Sequence, residues 1–140
     1  LFTGSSPSDE FNTIFNTIAA ARDKGIELIQ KQCQNNIPLS GAEIDDVVRL
    51  HINSLGFGQY FIHRTGHNIS VETHGPGTNI DNFETKDTRK IIPMTSFSIE
   101  PGIYIPNYVG MRTEIDVVIN KDNQVVIPTN PIQDRILCLA

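Results

Sequence analysis

The chain has 140 residues, 39% hydrophobic and 19% charged, which is enough for one domain with a real core and too few for two. Its formal net charge of −5 argues against DNA or RNA as the main partner, because phosphate binding needs a basic face; it suits a small ligand or a bound cation. No apolar run approaches the roughly 20 residues of a membrane span, and no stretch reads as a signal peptide.

The opening "LFTG" reads as the end of a strand, so the chain is expected to be a piece of something longer. "SSPSDEF" is a helix start: Ser6 or Ser8 can cap, Pro7 suits a first turn, and Asp9 and Glu10 favour the positive helix end. Phe11, Ile14, Phe15 and Ile18 keep helical spacing, and Ile26, Leu28 and Ile29 continue it, which predicts a helix from about Ser8 to Gln32 with Gly25 as a weak point. Ser40 and Glu43 form an S-x-x-E capping box for a second helix. Its apolar face is read as Ile44, Val47, Val48, Ile52 and Leu55, with His51 at the core edge and Gly56 as the stop. Cys33 and Cys138 lie far apart and outside any CxxC pair. That argues against a disulfide framework or a Cys-based zinc site and for two reduced thiols in a cytoplasmic protein.

After Gly56 the pattern changes to strands and loops. "NIDNFETKDTRKIIPM" is a long polar connection. "FSIEPGIYI" alternates, with Phe97 and Ile99 facing one way and Ser98 and Glu100 the other. "MRTEIDVVI" alternates too, with Met111, Thr113, Ile115 and Val117 opposed to Arg112, Glu114 and Asp116. "QVVIPT" and "RILCLA" read as closing strands.

The chemistry concentrates in two places. His63, His67 and His74 bring three of the four histidines into "HRTGHNISVETH". The strands around "PNYVG" read as a hairpin, and a turn centred near Asn107 puts Glu100 opposite Glu114. Facing carboxylates repel and need compensation, either a proton on one of them or a cation between them. Imidazole plus carboxylates is an ordinary ligand set for Mn, Co or Zn, and a carboxylate-rich one leans towards Mn. Taken singly, each histidine reads more readily as a surface group than as a functional one. Arg64 after His63, and Gly66, exclude the helical H-E-x-x-H zinc motif.

"HRTGHNISVETH", "FSIEPGIYIP" and "GMRTEIDVVI", in that order, resemble the second half of the pita-bread metallopeptidases. The HRTGH form and Arg112 resemble the Xaa-Pro aminopeptidase and Xaa-Pro dipeptidase (prolidase) branch. The resemblance implies an α+β pita-bread (creatinase/aminopeptidase-like) fold, of which residues 1–140 are the C-terminal half, two helices followed by an antiparallel sheet. It implies that His67, Glu100 and Glu114 are metal ligands, Glu100 being also the general base and Glu114 a bridge between two metals. By the same resemblance, His74 contacts the scissile peptide group, His63 lines the proline pocket, and Arg112 orders the site. Two divalent ions, Mn before Co or Zn, would activate a bridging water against the bond before proline in a peptide substrate. Metals roughly 4 Å apart suit that chemistry. A homodimer is implied for the complete protein.

The chain departs from the family pattern at Ser70 (usually glycine), Thr73 (usually Val or Ile) and Gly75 (usually acidic), and Ser70 is expected to crowd a tight backbone. Two further ligands, aspartates on a hairpin before the first helix, have no counterpart here; Asp9 is a first-turn helix charge. The isolated chain is therefore expected to bind metal weakly and not to turn over. The rival readings are a methionine aminopeptidase, a metal-free binding or chaperone relative, and a metal-free hydrolase of small amidines.

Overall fold

The structure, a computed structural model, describes residues 2–139. Strand β1 (Phe2–Thr3) leads into helix α1 (Asp9–Gln34). Ser8 caps α1 by accepting the Phe11 N–H, and Asp9 and Glu10 fill its first turn, as expected. The helix runs two residues past Gln32. Helix α2 (Gly41–Ser54) opens on the full capping box, with Ser40 and Glu43 bonding each other's backbone N–H. Its buried face carries Ile44, Val48 and Ile52. Val47 is only half-buried and Leu55 lies beyond the helix end, exposed, so those two do not join the core as expected.

Strands β2 (Asn68–Ile69), β3 (Thr95–Ile99), β6 (Ile115–Ile119) and β7 (Val125–Val126) form an antiparallel sheet in the order β2-β3-β6-β7. Strands β4 (Gly102–Ile105) and β5 (Val109–Arg112) form a separate hairpin. Strand β8 (Cys138–Leu139) pairs in parallel with β1. The two long strands expected from alternation are thus four. The first is interrupted at Glu100 and Pro101, the second at Thr113 and Glu114. Proline has no N–H to give to a ladder, which accounts for one side of the break. Of the two closing strands, only Val125–Val126 and Cys138–Leu139 pair; Ala140, like Leu1, lies outside the described residues.

Two apolar clusters make the core. Ile14, Ile18 and Ala21 of α1 pack with Val48, Ile52, Phe61 and Ile103. One turn further on, Ile26 and Ile29 pack with Ile44, Ile80 and the inward face of the sheet, Phe97, Ile99, Ile115, Val117 and Ile119. Each fully buried side chain of this kind contributes about 1.5–3 kcal/mol relative to exposure. Helix α1 therefore spans both clusters. Gly25 is no weak point: it is buried where α1, α2 and the sheet meet, and a Cβ there would lie 3.0 Å from Val48 Cγ2.

The polar connection is ordered by its own carboxylates. Buried Asp81 accepts the N–H groups of Phe83, Glu84 and Thr85. Asp87 accepts the Asn79 and Arg89 N–H groups and pairs with the Arg89 guanidinium, which holds its carboxyl below the usual carboxylate range. Its carbonyl takes the Ala42 N–H, tying the loop to the start of α2.

Candidate active site

The site begins on α2, with a residue that alternation does not single out. Asp45 is fully buried. Its carboxylate accepts the Arg49 guanidinium at 3.1 and 3.2 Å, the Asn82 N–H at 2.9 Å, and both the N–H (3.0 Å) and hydroxyl of Thr65. Arg49 donates in turn to the carbonyls of Phe61 and His63, both at 2.9 Å, and its guanidinium lies over the Phe61 and Phe83 rings. One buried ion pair thus holds the segment from Phe61 to Thr65 against α2.

That segment delivers the histidines. Gly66 lies so close to β3 that a Cβ would overlap the Ser98 carbonyl oxygen. The close approach lets the Ser98 N–H bond the His67 carbonyl at 2.9 Å and the Glu100 N–H bond the Thr65 carbonyl at 2.7 Å. His67 Nδ1 sits 3.1 Å from the Asn68 carbonyl, which only accepts, so Nδ1 carries the hydrogen and Nε2 presents a lone pair. Nε2 faces Glu100 Oε1 at 3.4 Å. An imidazole nitrogen and a carboxylate oxygen set this way are ordinary ligands for a divalent ion. Glu100 Oε1 also accepts the Ser98 hydroxyl at 2.9 Å, while Oε2 lies 3.3 Å from Arg112 Nη1.

Glu100 and Glu114 stand opposite each other, as the turn centre at Asn107 predicts. The pairs Ile99 with Ile115 and Gly102 with Arg112 bracket the break and share one register. Asn107 itself adopts φ 58° at the tip. On α1, the buried Arg22 donates to the Thr113 hydroxyl at 2.9 Å, fixing the residue between Arg112 and Glu114 from behind.

His63, His67, His74, Glu100, Arg112 and Glu114 all line one open cleft of about 360 Å³, together with Arg64, Thr73 and Glu84. His63 packs edge-on against Phe61 and Tyr104; its Nδ1 faces the Arg64 carbonyl at 2.7 Å and its Nε2 the Tyr104 hydroxyl at 3.0 Å. Burial pushes the Tyr104 phenol up, which keeps it a hydroxyl donor to that nitrogen. His74 is exposed and its ring sits 4.3 Å from that of His67. His51 stays out of the cleft: it is half-buried, its Nε2 lacks a partner, and burial, then Lys24, pulls its pKa down, as befits a core-edge histidine.

The departures at Ser70 and Gly75 answer each other. Ser70 is exposed and crowds nothing, because Gly75 leaves the space its Cβ needs. Gly75 and Gly77 both close on the side chain of Asn68, whose oxygen accepts the Gly77 N–H at 3.0 Å.

The donor set fits a divalent ion in kind, an imidazole and two carboxylates, and in position for two of its members. Among the described residues no three His, Cys, Asp or Glu side chains converge on one point, so Glu114 shares the cleft without closing a site with His67 and Glu100. Sequence reasoning missed Asp45, Arg49, Arg22, Ser98 and Tyr104. Only the Asp45–Arg49 spacing on α2 carried a signal, and it reads as an ordinary i,i+4 surface pair.

An α+β scaffold thus brings imidazole and carboxylate groups into one cleft. Residues 1–121 match the model of metallopeptidase family M24, and the chain belongs to that family. Its fold is the corresponding portion of the pita-bread architecture. The uncharacterized peptidase YqhT of Bacillus subtilis (strain 168) is 32% identical over 126 residues, 89% of this chain and 33% of that one. The Xaa-Pro dipeptidase of Lactobacillus delbrueckii subsp. lactis is 33% identical over 116 residues, 83% of this chain and 29% of that one. The structure of an X-Pro aminopeptidase from Thermotoga maritima MSB8 superposes with a TM-score of 0.80 at 28% identity, covering 96% of this chain and 35% of that one. The chain spans about a third of the length of the relatives it matches.

Proposed function

We propose that residues 1–140 are the C-terminal part of the catalytic domain of a metal-dependent peptidase that hydrolyses the Xaa-Pro bond in dipeptides or at peptide N-termini. The observation that carries this is His67 Nε2 set 3.4 Å from Glu100 Oε1 in a cleft shared with His63, His74, Arg112 and Glu114. Relatives whose names include Xaa-Pro dipeptidase and X-Pro aminopeptidase support the same substrate class. His67, Glu100 and Glu114 would hold two divalent ions, Mn first and Co or Zn after it, with further ligands from outside this chain. When bound, such ions supply Lewis-acid activation of water and stabilise a developing oxyanion. Glu100 takes the proton of the attacking water. Arg112 holds Glu100 Oε2 and so orients the other oxygen. His74, exposed beside His67, contacts the scissile peptide group. His63, walled by Phe61 and Tyr104, receives the proline ring. Proline needs its own pocket because it offers no N–H and fixes φ. The family resemblance further supports a homodimer as the working form of the complete protein, and the two free cysteines, Cys33 and Cys138, favour a cytoplasmic one.

The test is cleavage of Ala-Pro against Met-Ala peptides by the complete protein with added Mn²⁺. Cleavage of Ala-Pro alone, abolished by a chelator and by His67→Ala, Glu100→Ala or Glu114→Ala, is expected. Preference for Met-Ala would reassign it as a methionine aminopeptidase. Activity indifferent to the chelator would favour a metal-free hydrolase.

A further inference from the structure

Ser98 is the one side chain among the described residues that hydrogen-bonds both His67 and Glu100. It sits in the middle of β3, 1% exposed, with Phe97 and Ile99 on either side turned into the apolar core. A hydroxyl in such a place is costly unless it is paired. Both of its bonds go to the site. Its oxygen accepts the His67 N–H at 3.0 Å and its hydrogen goes to Glu100 Oε1 at 2.9 Å. Its backbone N–H bonds the His67 carbonyl at 2.9 Å, so the two residues are tied twice.

A hydroxyl has one hydrogen. With the His67 N–H occupying a lone pair, that hydrogen is committed to Glu100. Each carboxylate oxygen then has its own fixed partner, Ser98 on Oε1 and Arg112 on Oε2, and the plane of the carboxylate is set. The oxygen that Ser98 holds is the one facing His67 Nε2. We infer that Ser98 is a positioning residue for the metal centre, holding His67 and Glu100 at the mutual distance an ion between them requires. The inference rests on the reading of His67 and Glu100 as metal ligands and adds a residue to it. Partners behind the ligands of a metal site typically change its affinity 10–100-fold when removed.

Calorimetric titration of Mn²⁺ into the complete protein tests this, with His67→Ala, Ser98→Ala and Ser98→Thr beside the wild type. His67→Ala should lose the site. Ser98→Ala should bind Mn²⁺ about 10–100-fold more weakly, with an altered visible spectrum when Co²⁺ replaces Mn²⁺. Ser98→Thr, which keeps the hydroxyl, should restore both. If Ser98→Ala does not fold, Ser98→Cys takes its place, since a thiol fills the space but donates weakly, and the same loss is expected. Wild-type affinity in Ser98→Ala or Ser98→Cys, with the site lost in His67→Ala, would overturn the positioning role and leave the metal reading intact. Unchanged binding in His67→Ala would overturn both.

Discussion

Gly66 shows how one missing atom makes the site. The sequence motif marks it only as a glycine between two histidines, whereas its cause is the approach to β3, which depends on a strand some thirty residues away in the chain. Gly66→Ala should cost more than the about 1–3 kcal/mol of ordinary overpacking, because the obstacle is backbone; a large fall in urea midpoint checks it. Glu43 was legible outright, since S-x-x-E is local. Bonds from the Ser40 hydroxyl and N–H, with Lys90 adding, lower its carboxyl from 4.5 to about 2. A folded-state pKa below the unfolded one gives stability that is whole above about pH 4.5 and is lost as pH falls towards 2. Glu43 is exposed, so water screens the pair and the worth stays near the about 1 kcal/mol of a helix cap. Glu43→Gln should therefore be about 1 kcal/mol less stable than wild type at pH 7 and nearly equal to it at pH 2, by denaturant unfolding at both.

At the scale of elements, α2 does more than pack. Asp45 was not legible in the sequence, because its burial comes from Thr65 and Asn82 folding over it later in the chain. Asp45→Ala would strand the Arg49 charge and three donors at once. A loss of about 3–5 kcal/mol is expected, as for a broken buried pair, and hydrogen exchange should show residues 61–67 released first. The strand breaks at Glu100 and Thr113 were equally hidden, since alternation runs through them unchanged. The helices and their caps were legible because each is written within a few residues, and the carboxylate pairing because a single turn at Asn107 lies midway between two alternating runs.

Across the whole molecule, the cleft draws on segments near residues 63, 74, 100 and 114, while α1 fastens both core clusters behind it. A ligand that binds only the folded state stabilises it by mass action, by about 2.7 kcal/mol at a hundredfold excess over Kd. Mn²⁺ should accordingly raise the melting temperature of the complete protein and leave that of His67→Ala unmoved. The register across the break has a further consequence. Glu100 meets Glu114 because one register runs through two ladders, β3 with β6 on one side of the break and, on the other, β4 with β5, closed by the three residues Pro106 to Tyr108, none of which lines the cleft. Adding one residue at that tip would set the hairpin's register at odds with that of β3 and β6, whose apolar face is buried and cannot slip by one residue. Such an insertion should be absorbed as a bulge within β4 or β5, leaving the two carboxylates face to face, so that the site is clamped at one end and tolerant at the other.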